Sequence, residues 1–186
     1  MEGDMKKQDI QGRDPEDPQL TAEIEALLLE TAAAWNSQDF TRWIALWDAD
    51  DTRPFYLAAE EDDFFVRREQ LHKYVDPDSP ATKIAQGIRV GFSNIRARRL
   101  TDDLAFAAYH MRSEMKLAFV DKPFISILRA TSVLRRKPEG WRYICYTEAF
   151  QSPTMYFQKL IQNAVPEDYP EFFEKVMGRK MNDRSG

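Results

Sequence analysis

Three tyrosines (Tyr56, Tyr109 and Tyr143), one histidine (His72) and a run of aspartates at Asp48, Asp50 and Asp51 are the residues of this 186-residue chain best suited to moving protons. A phenol, with an ordinary pKa of about 10, donates a proton or stabilises an oxyanion but is a weak base. Histidine titrates nearest neutrality, which makes His72 the strongest base by intrinsic pKa. The aspartates stand where the chain leaves a helix, and one of them, Asp51, would act as a base if it turned inward. The chemistry these residues predict is general acid-base catalysis, with Tyr56 polarising an oxygen and His72 or Asp51 carrying the proton. The plainer alternatives are a surface histidine and a solvated turn. Other chemistries lack their residues. A single cysteine, Cys145, excludes an intramolecular disulfide and a cysteine-rich zinc site, and reads as a small buried apolar residue. With only His72 and His110, no carboxylate-histidine cluster has metal-ligand spacing. There is no phosphate-cradling glycine loop and no Ser-His-Asp pattern, so neither metal nor cofactor is expected.

These residues must be held by the elements around them. Residues 1–16 are charged and aperiodic and read as a mobile arm. Asp17-Pro18 is a helix start, followed by Leu20, Ile24, Leu27, Leu28, Thr31 and Trp35 at spacings of three and four. Asp39 caps a second helix carrying Phe40, Trp43, Ile44 and Trp47. Residues 54–57 read as a short strand, 64–66 as its return, 68–74 as a third helix and 76–80 as a loop. From residue 83 the period becomes two. Strands are predicted over about 88–100, 104–119, 124–136 and 141–150, joined by short turns as an antiparallel meander. Residues 154–164 and 167–177 read as further helices. The domain plan is therefore an arm (1–16), one α+β domain (17–151) and a helical extension (152–186).

Helices followed by a long, curved antiparallel sheet bury their apolar stripes only in the hollow of that sheet, and the resulting cone has an open mouth. Strand parity decides what lines it. Tyr109, Met111, Met115 and Leu117 share one face, as do Leu128 and Ser132 in the next strand, and Tyr143 and Cys145 in the last. The opposite face carries His110, Arg112, Glu114, Arg129 and Glu148. Charges would lose hydration in the hollow, so the first face is taken as inward. The expected lining is Trp35, Trp47, Phe55, Tyr56, Val90, Phe92, Tyr109, Met111, Met115, Leu128, Ser132, Tyr143 and Cys145, with Trp43 in the core. Aromatic faces and thioethers suit a flat apolar ligand, which hydroxyls would orient. Glu148 is expected to form a cross-strand ion pair with Arg129 or Arg112. His110 and the apolar residues among the outward charges predict a homodimer contact.

Composition agrees with a folded domain: 43% of residues are hydrophobic and 31% charged, with 12 Phe, 7 Tyr and 4 Trp. A net charge of -5 argues against a nucleic-acid partner and against electrostatic membrane anchoring. No apolar run approaches the roughly 18 residues of a membrane span, and the polar start of the chain has no secretory pattern. A cytoplasmic location is the expectation.

The segment AWNSQDFTRWIALWDADD, the long strands and VLRRKPEGWRYI together resemble the nuclear-transport-factor-2-like superfamily, most closely its SnoaL-like branch, over roughly residues 20–151. The resemblance implies a cone-shaped sheet wrapped around N-terminal helices. It also implies a choice among isomerases, dehydratases, cyclases, small lyases and non-catalytic association domains. The catalytic residues of two members do not carry over. The ketosteroid isomerase base, phenol and protonated acid would fall near Tyr56, Thr31 and Ser132. The Tyr-Asp pair of scytalone dehydratase would fall on Trp35 and Asn36, and its histidines near Val90 and Met115. The expected function is a cofactor-independent lyase, dehydratase or isomerase acting on a small hydrophobic, aromatic molecule. The alternatives are a non-catalytic binding or assembly domain, or the small subunit of a ring-hydroxylating oxygenase.

Overall fold

The structure, a computed structural model, describes residues 17–119, 121, 123–150, 171 and 174. The predicted arm and most of the C-terminal helices lie outside these residues, although Glu171 and Glu174 are helical. The fold below belongs to the unit ending at Gln151.

Helix α1 (Pro18–Asn36) starts where a carboxylate meets a proline. Asp17 accepts the Leu20 N–H at 2.9 Å, while Pro18 occupies a first-turn position whose missing N–H costs nothing. Leu20, Ile24, Leu27, Leu28 and Thr31 form its buried stripe. Helix α2 (Phe40–Ala45) repeats the device, with Asp39 accepting the Arg42 N–H. Gln38, between them, takes the left-handed conformation (φ +56°) that turns the chain. Strand β1 (Phe55–Leu57) precedes α3 (Arg68–Tyr74) and α4 (Pro80–Ile84). The long strands are β2 (Ala85–Arg99), β3 (Leu104–Leu117), β4 (Phe124–Lys137) and β5 (Gly140–Phe150).

Two short segments differ from expectation. The loop before β2 runs into a helical turn, α4, where Ser79 Oγ accepts the Thr82 N–H. The expected return strand at 64–66 is reduced to one bridge, Tyr56 to Phe65, because Phe64 and Val66 on either side are exposed and have no sheet to cover.

The strands form one unclosed sheet in the order β1-β5-β4-β3-β2, antiparallel except for the β1–β5 pair. Three register shifts interrupt it, the first between Ala85 and Gly87 at the start of β2. In β2 the register slips between Ser93 and Arg96, around Asn94 at φ +53°, a conformation asparagine tolerates better than most residues. In β5, Tyr143 faces Leu134 but Cys145 faces Val133, so Ile144 is an extra residue and the strand carries a bulge. The sheet curves around α1, as the α+β reading requires.

Two polar anchors fix helices to sheet. Asn36, at the end of α1, binds both backbone groups of Val90: Nδ2 donates to its carbonyl at 3.1 Å and Oδ1 accepts its N–H at 2.6 Å. Gln38 adds a bond to the Ile88 carbonyl. At the other end, the segment after α2 joins β5 through the Asp48 N–H to the Tyr143 carbonyl and the Tyr143 N–H to the Leu46 carbonyl. The fully buried Asp48 carboxylate pairs with Arg135 at 2.7 Å and Lys137 at 3.1 Å. Burial works against that charge, but the bonds from Arg135 and Lys137 outweigh it and hold the carboxyl below its usual range.

Asn36→Ala is expected to lower stability by about 1 kcal/mol, since water replaces the two bonds to Val90 at this exposed edge, and urea unfolding measures it. Asp48→Asn is expected to cost about 2–3 kcal/mol at neutral pH, less than a fully enclosed pair because both cations reach solvent. A carboxyl held low in the folded state stabilises above its unfolded pKa, and that contribution fades as pH falls through the folded value. The stability gap between wild type and Asp48→Asn should therefore close in acid, as denaturation at successive pH values will record.

Candidate active site

Inside the curve lies a cavity of about 440 Å³, the size of a small-molecule site. Its aromatic wall is continuous. Trp35 packs edge-on against Trp43 at 5.5 Å, Trp43 against Trp47 at 5.7 Å, and both Trp43 and Trp47 against Tyr56. These rings come from the end of α1, from α2, from the residue two after α2 and from β1. The tight corner between the two helices is what gathers them. The sheet supplies Val90, Phe92, Met111, Met115 and Leu128 opposite.

Below Tyr143 runs a line of buried hydroxyls. Thr31 Oγ1 donates to the Leu27 carbonyl at 2.9 Å, so at 2.9 Å it must accept from Tyr143. Tyr109 interacts with Tyr143 and is 2.6 Å from Ser132 Oγ. Burial pushes the Tyr143 phenol up to about 12 and that of Tyr109 well above its ordinary value. Both therefore stay protonated and serve as structural donors. Trp47 Nε1 is the buried side-chain polar atom without a hydrogen-bond partner among the described residues; the rings of Trp43, Tyr56 and Tyr143 pack around its indole.

The decisive group is Glu148. Beyond the bulge at Ile144 the parity of β5 inverts, so Tyr146, Glu148 and Phe150 line the cavity. Glu148 Oε2 accepts the Tyr146 hydroxyl at 2.7 Å, and Oε1 accepts the Ala59 N–H at 3.2 Å. Burial among aromatic rings pushes its carboxyl up to about 7; the Tyr146 bond opposes the rise and the negative field of Glu60 adds to it. Tyr146 stacks on Tyr56 at 5.5 Å, and Tyr74, whose hydroxyl donates to Glu60 at 2.6 Å, also packs against Tyr56. Burial also holds the Tyr56 proton well beyond the normal phenol range. The group that can exchange protons near neutrality is thus a carboxyl, with phenols beside it as donors.

The residues singled out in the sequence divide accordingly. Trp35, Trp47, Tyr56, Val90, Phe92, Met111, Met115, Leu128 and Tyr143 line the cavity, and Trp43, expected only in the core, lines it too. Tyr109 and Ser132 lie one layer beneath, buried and bonded to each other. Phe55 is outside, because alternation along β1 turns Tyr56 inward and Phe55 toward Phe64. His72 is exposed on α3, where Leu71 takes the buried position, so it lies away from the cavity. Asp51 also lies outside, its carboxylate accepting the Arg53 N–H in the turn. Cys145 falls on the outer face for the same reason that Glu148 falls on the inner one. The expected Glu148 pair with Arg129 or Arg112 does not form: Arg112 bonds Glu114, and Arg129 bonds the Phe150 carbonyl. Among the described residues no three His, Cys, Asp or Glu side chains converge as a metal site.

A family model described as a SnoaL-like domain matches residues 24–150, and the chain belongs to that family. No match was found among curated proteins. Solved structures of the same fold include a provisionally assigned scytalone dehydratase from Novosphingobium aromaticivorans, at 10% identity and TM-score 0.63, covering 73% of this chain and 86% of that one. Hexachlorocyclohexane dehydrochlorinase LinA-type3 from Novosphingobium barchaimii matches at 12% identity and TM-score 0.60, covering 73% and 88%. A provisionally assigned aromatic ring hydroxylase from Novosphingobium aromaticivorans matches at 14% identity and TM-score 0.61, covering 76% and 94%. At these identities the likeness is one of fold.

The Glu148 carboxyl should titrate at about 7 in the free protein, read as a carbon-13 chemical-shift change that vanishes in Glu148→Gln. Because its folded pKa is raised, the group favours the folded state fully below the unfolded value and loses that advantage as pH rises to about 7. Wild type should therefore lose stability relative to Glu148→Gln between roughly pH 4.5 and 7.

Proposed function

We propose that this protein is a cofactor-independent enzyme of the lyase or isomerase type, working by proton transfer on a small hydrophobic, aromatic molecule. The observation that carries this reading is a carboxyl at about 7 on the wall of an apolar, aromatic cavity. A base tuned to the working pH combines the largest ionised fraction with the strongest useful basicity. Ionised Glu148 would take a proton from a carbon next to an activating group. The C–H electron pair then forms a carbon-carbon double bond, and a leaving group departs with its own pair in an elimination. In an isomerisation Glu148 returns the proton to another carbon. Tyr56, which keeps its proton, would donate a hydrogen bond to the oxygen or halide where negative charge grows.

The names of two fold neighbours support the elimination form, since a dehydratase and a dehydrochlorinase each remove the elements of a small acid or water from adjacent carbons. The same reading includes a homodimer in the cytoplasm. Its support is the outward sheet face, where Arg89, Glu114 and Arg112 interact beside the exposed Ile125. No helix among the described residues is long and apolar enough to cross a membrane.

The test uses the full chain with aromatic β-chloroketones and aromatic β-hydroxyketones as probes, following chloride or enone formation. Glu148→Gln should lower kcat by roughly 10²–10⁴-fold, and Tyr56→Phe by less. For wild type, kcat/KM should climb with pH and level off above about 7. Undiminished turnover by Glu148→Gln would remove Glu148 as the base. Tight retention of an aromatic molecule without conversion at any pH would replace the enzyme by a binding domain, and co-purification with a larger oxygenase subunit would replace it by an assembly role.

A further inference from the structure

Every formally charged side chain on the cavity wall has the same sign. Glu60, Glu61 and Glu148 line it, and among the described residues no lysine, arginine or histidine does. Among the described residues none of the three carboxyls has an ion-pair partner, while Arg89 and Arg112 are engaged with Glu114 on the outer face, and Arg135 and Lys137 with Asp48. A buried carboxyl such as Glu148 is costly to ionise without a counter-cation, and a ligand of positive charge held between it and the exposed Glu60 would lower that cost. The remaining surface suits the same ligand. Indole and phenol rings present negative π faces, which attract a desolvated ammonium. An anion would shed its water only to meet three carboxyl groups and those same faces.

We propose that the cavity takes a hydrophobic molecule bearing one protonated amine, with the ammonium beside Glu60 and Tyr74, and the apolar body against Trp35, Phe92 and Met111. This names the substrate class of the proton-transfer site and rests on that reading for its catalytic meaning; its test reads binding alone. The placement also gives the ligand an effect on the base. Glu148 is faced by Tyr146 from β5, Tyr56 from β1, Tyr74 from α3, and Glu60 and the Ala59 N–H from the segment after β1. Of these, Glu60 is the group whose charge opposes ionisation of Glu148. An ammonium beside Glu60 cancels that opposition, so the bound ligand releases the Glu148 proton at neutral pH.

Calorimetry of the full chain with three naphthyl probes of similar size tests this: 2-(2-naphthyl)ethylamine, 2-(2-naphthyl)ethanol and the anion of 2-naphthylacetic acid. At pH 7.5 the amine should bind at least about ten times more tightly than the alcohol, and the carboxylate should bind more weakly than both. At pH 7 the amine, but not the alcohol, should release protons on binding, seen as a dependence of the measured heat on the buffer. Glu60→Gln, a change at an exposed position, should bring the amine close to the alcohol. Equal affinity for alcohol and amine, tight binding of naphthylacetate, or a full amine preference kept in Glu60→Gln would overturn the proposal. An alcohol-preferring protein whose turnover still depends on Glu148 would sink the amine alone. An amine-preferring protein that never converts a substrate would sink proton transfer alone.

Discussion

In a β-strand the side chains alternate, so inserting one residue transfers everything beyond it to the other side of the sheet. Ile144 is that residue in β5. Before it, Trp141 and Tyr143 face the helices; after it, Tyr146, Glu148 and Phe150 do. Without the bulge, Cys145 and Thr147 would line the hollow and Glu148 would stand among the arginines of the outer face as an ordinary surface carboxylate. The acid-base character of the cavity therefore depends on a local backbone irregularity, whose effect on Glu148 is far larger than its effect on the overall fold.

The surroundings turn that placement into chemistry. An isolated carboxyl among rings would resist ionisation and serve only as a donor. Here the Ala59 N–H and the Tyr146 hydroxyl stabilise the anion, while burial and Glu60 oppose it, and the balance falls near neutrality. Asp48 shows the contrary outcome in the same domain. Its side chain is shielded from solvent, yet two cations hold it ionised, and it serves as a structural anchor. The presence or absence of a paired cation separates the two roles.

Much of the architecture was legible in the sequence. Asp17-Pro18 and Asp39 mark both helix starts, and the three-four spacing from Leu20 to Thr31 gives the buried stripe. Alternation in β3 and β4 correctly separates Met111 and Leu128 from Arg112 and Arg129. The parity of β5 was not legible past Tyr143, because Tyr143-Ile144-Cys145-Tyr146 is a continuous apolar run in which either phase fits. One signal was available: Tyr146, Glu148 and Phe150 share a phase, and two large aromatics flanking a glutamate suit an enclosed face better than a charged one. Intrinsic pKa points to His72 and the helix exit points to Asp51, whereas the raised pKa of Glu148 is made by its environment, which residue type alone does not disclose. The segment after β1, which brings the Ala59 N–H and Glu60 to the site, carries no periodic pattern at all.

The Asn36 side chain also bears on how the molecule behaves in company. Among the described strands β2 ends the sheet, and a fifteen-residue edge strand is a template onto which another extended chain can dock. The primary amide of Asn36 imitates a visiting peptide group, filling both outward positions of Val90, and Gln38 blocks the carbonyl of Ile88. The border is thus blocked at Ile88 and Val90 by side chains at the end of the protein's own helix, which an incoming strand would have to displace.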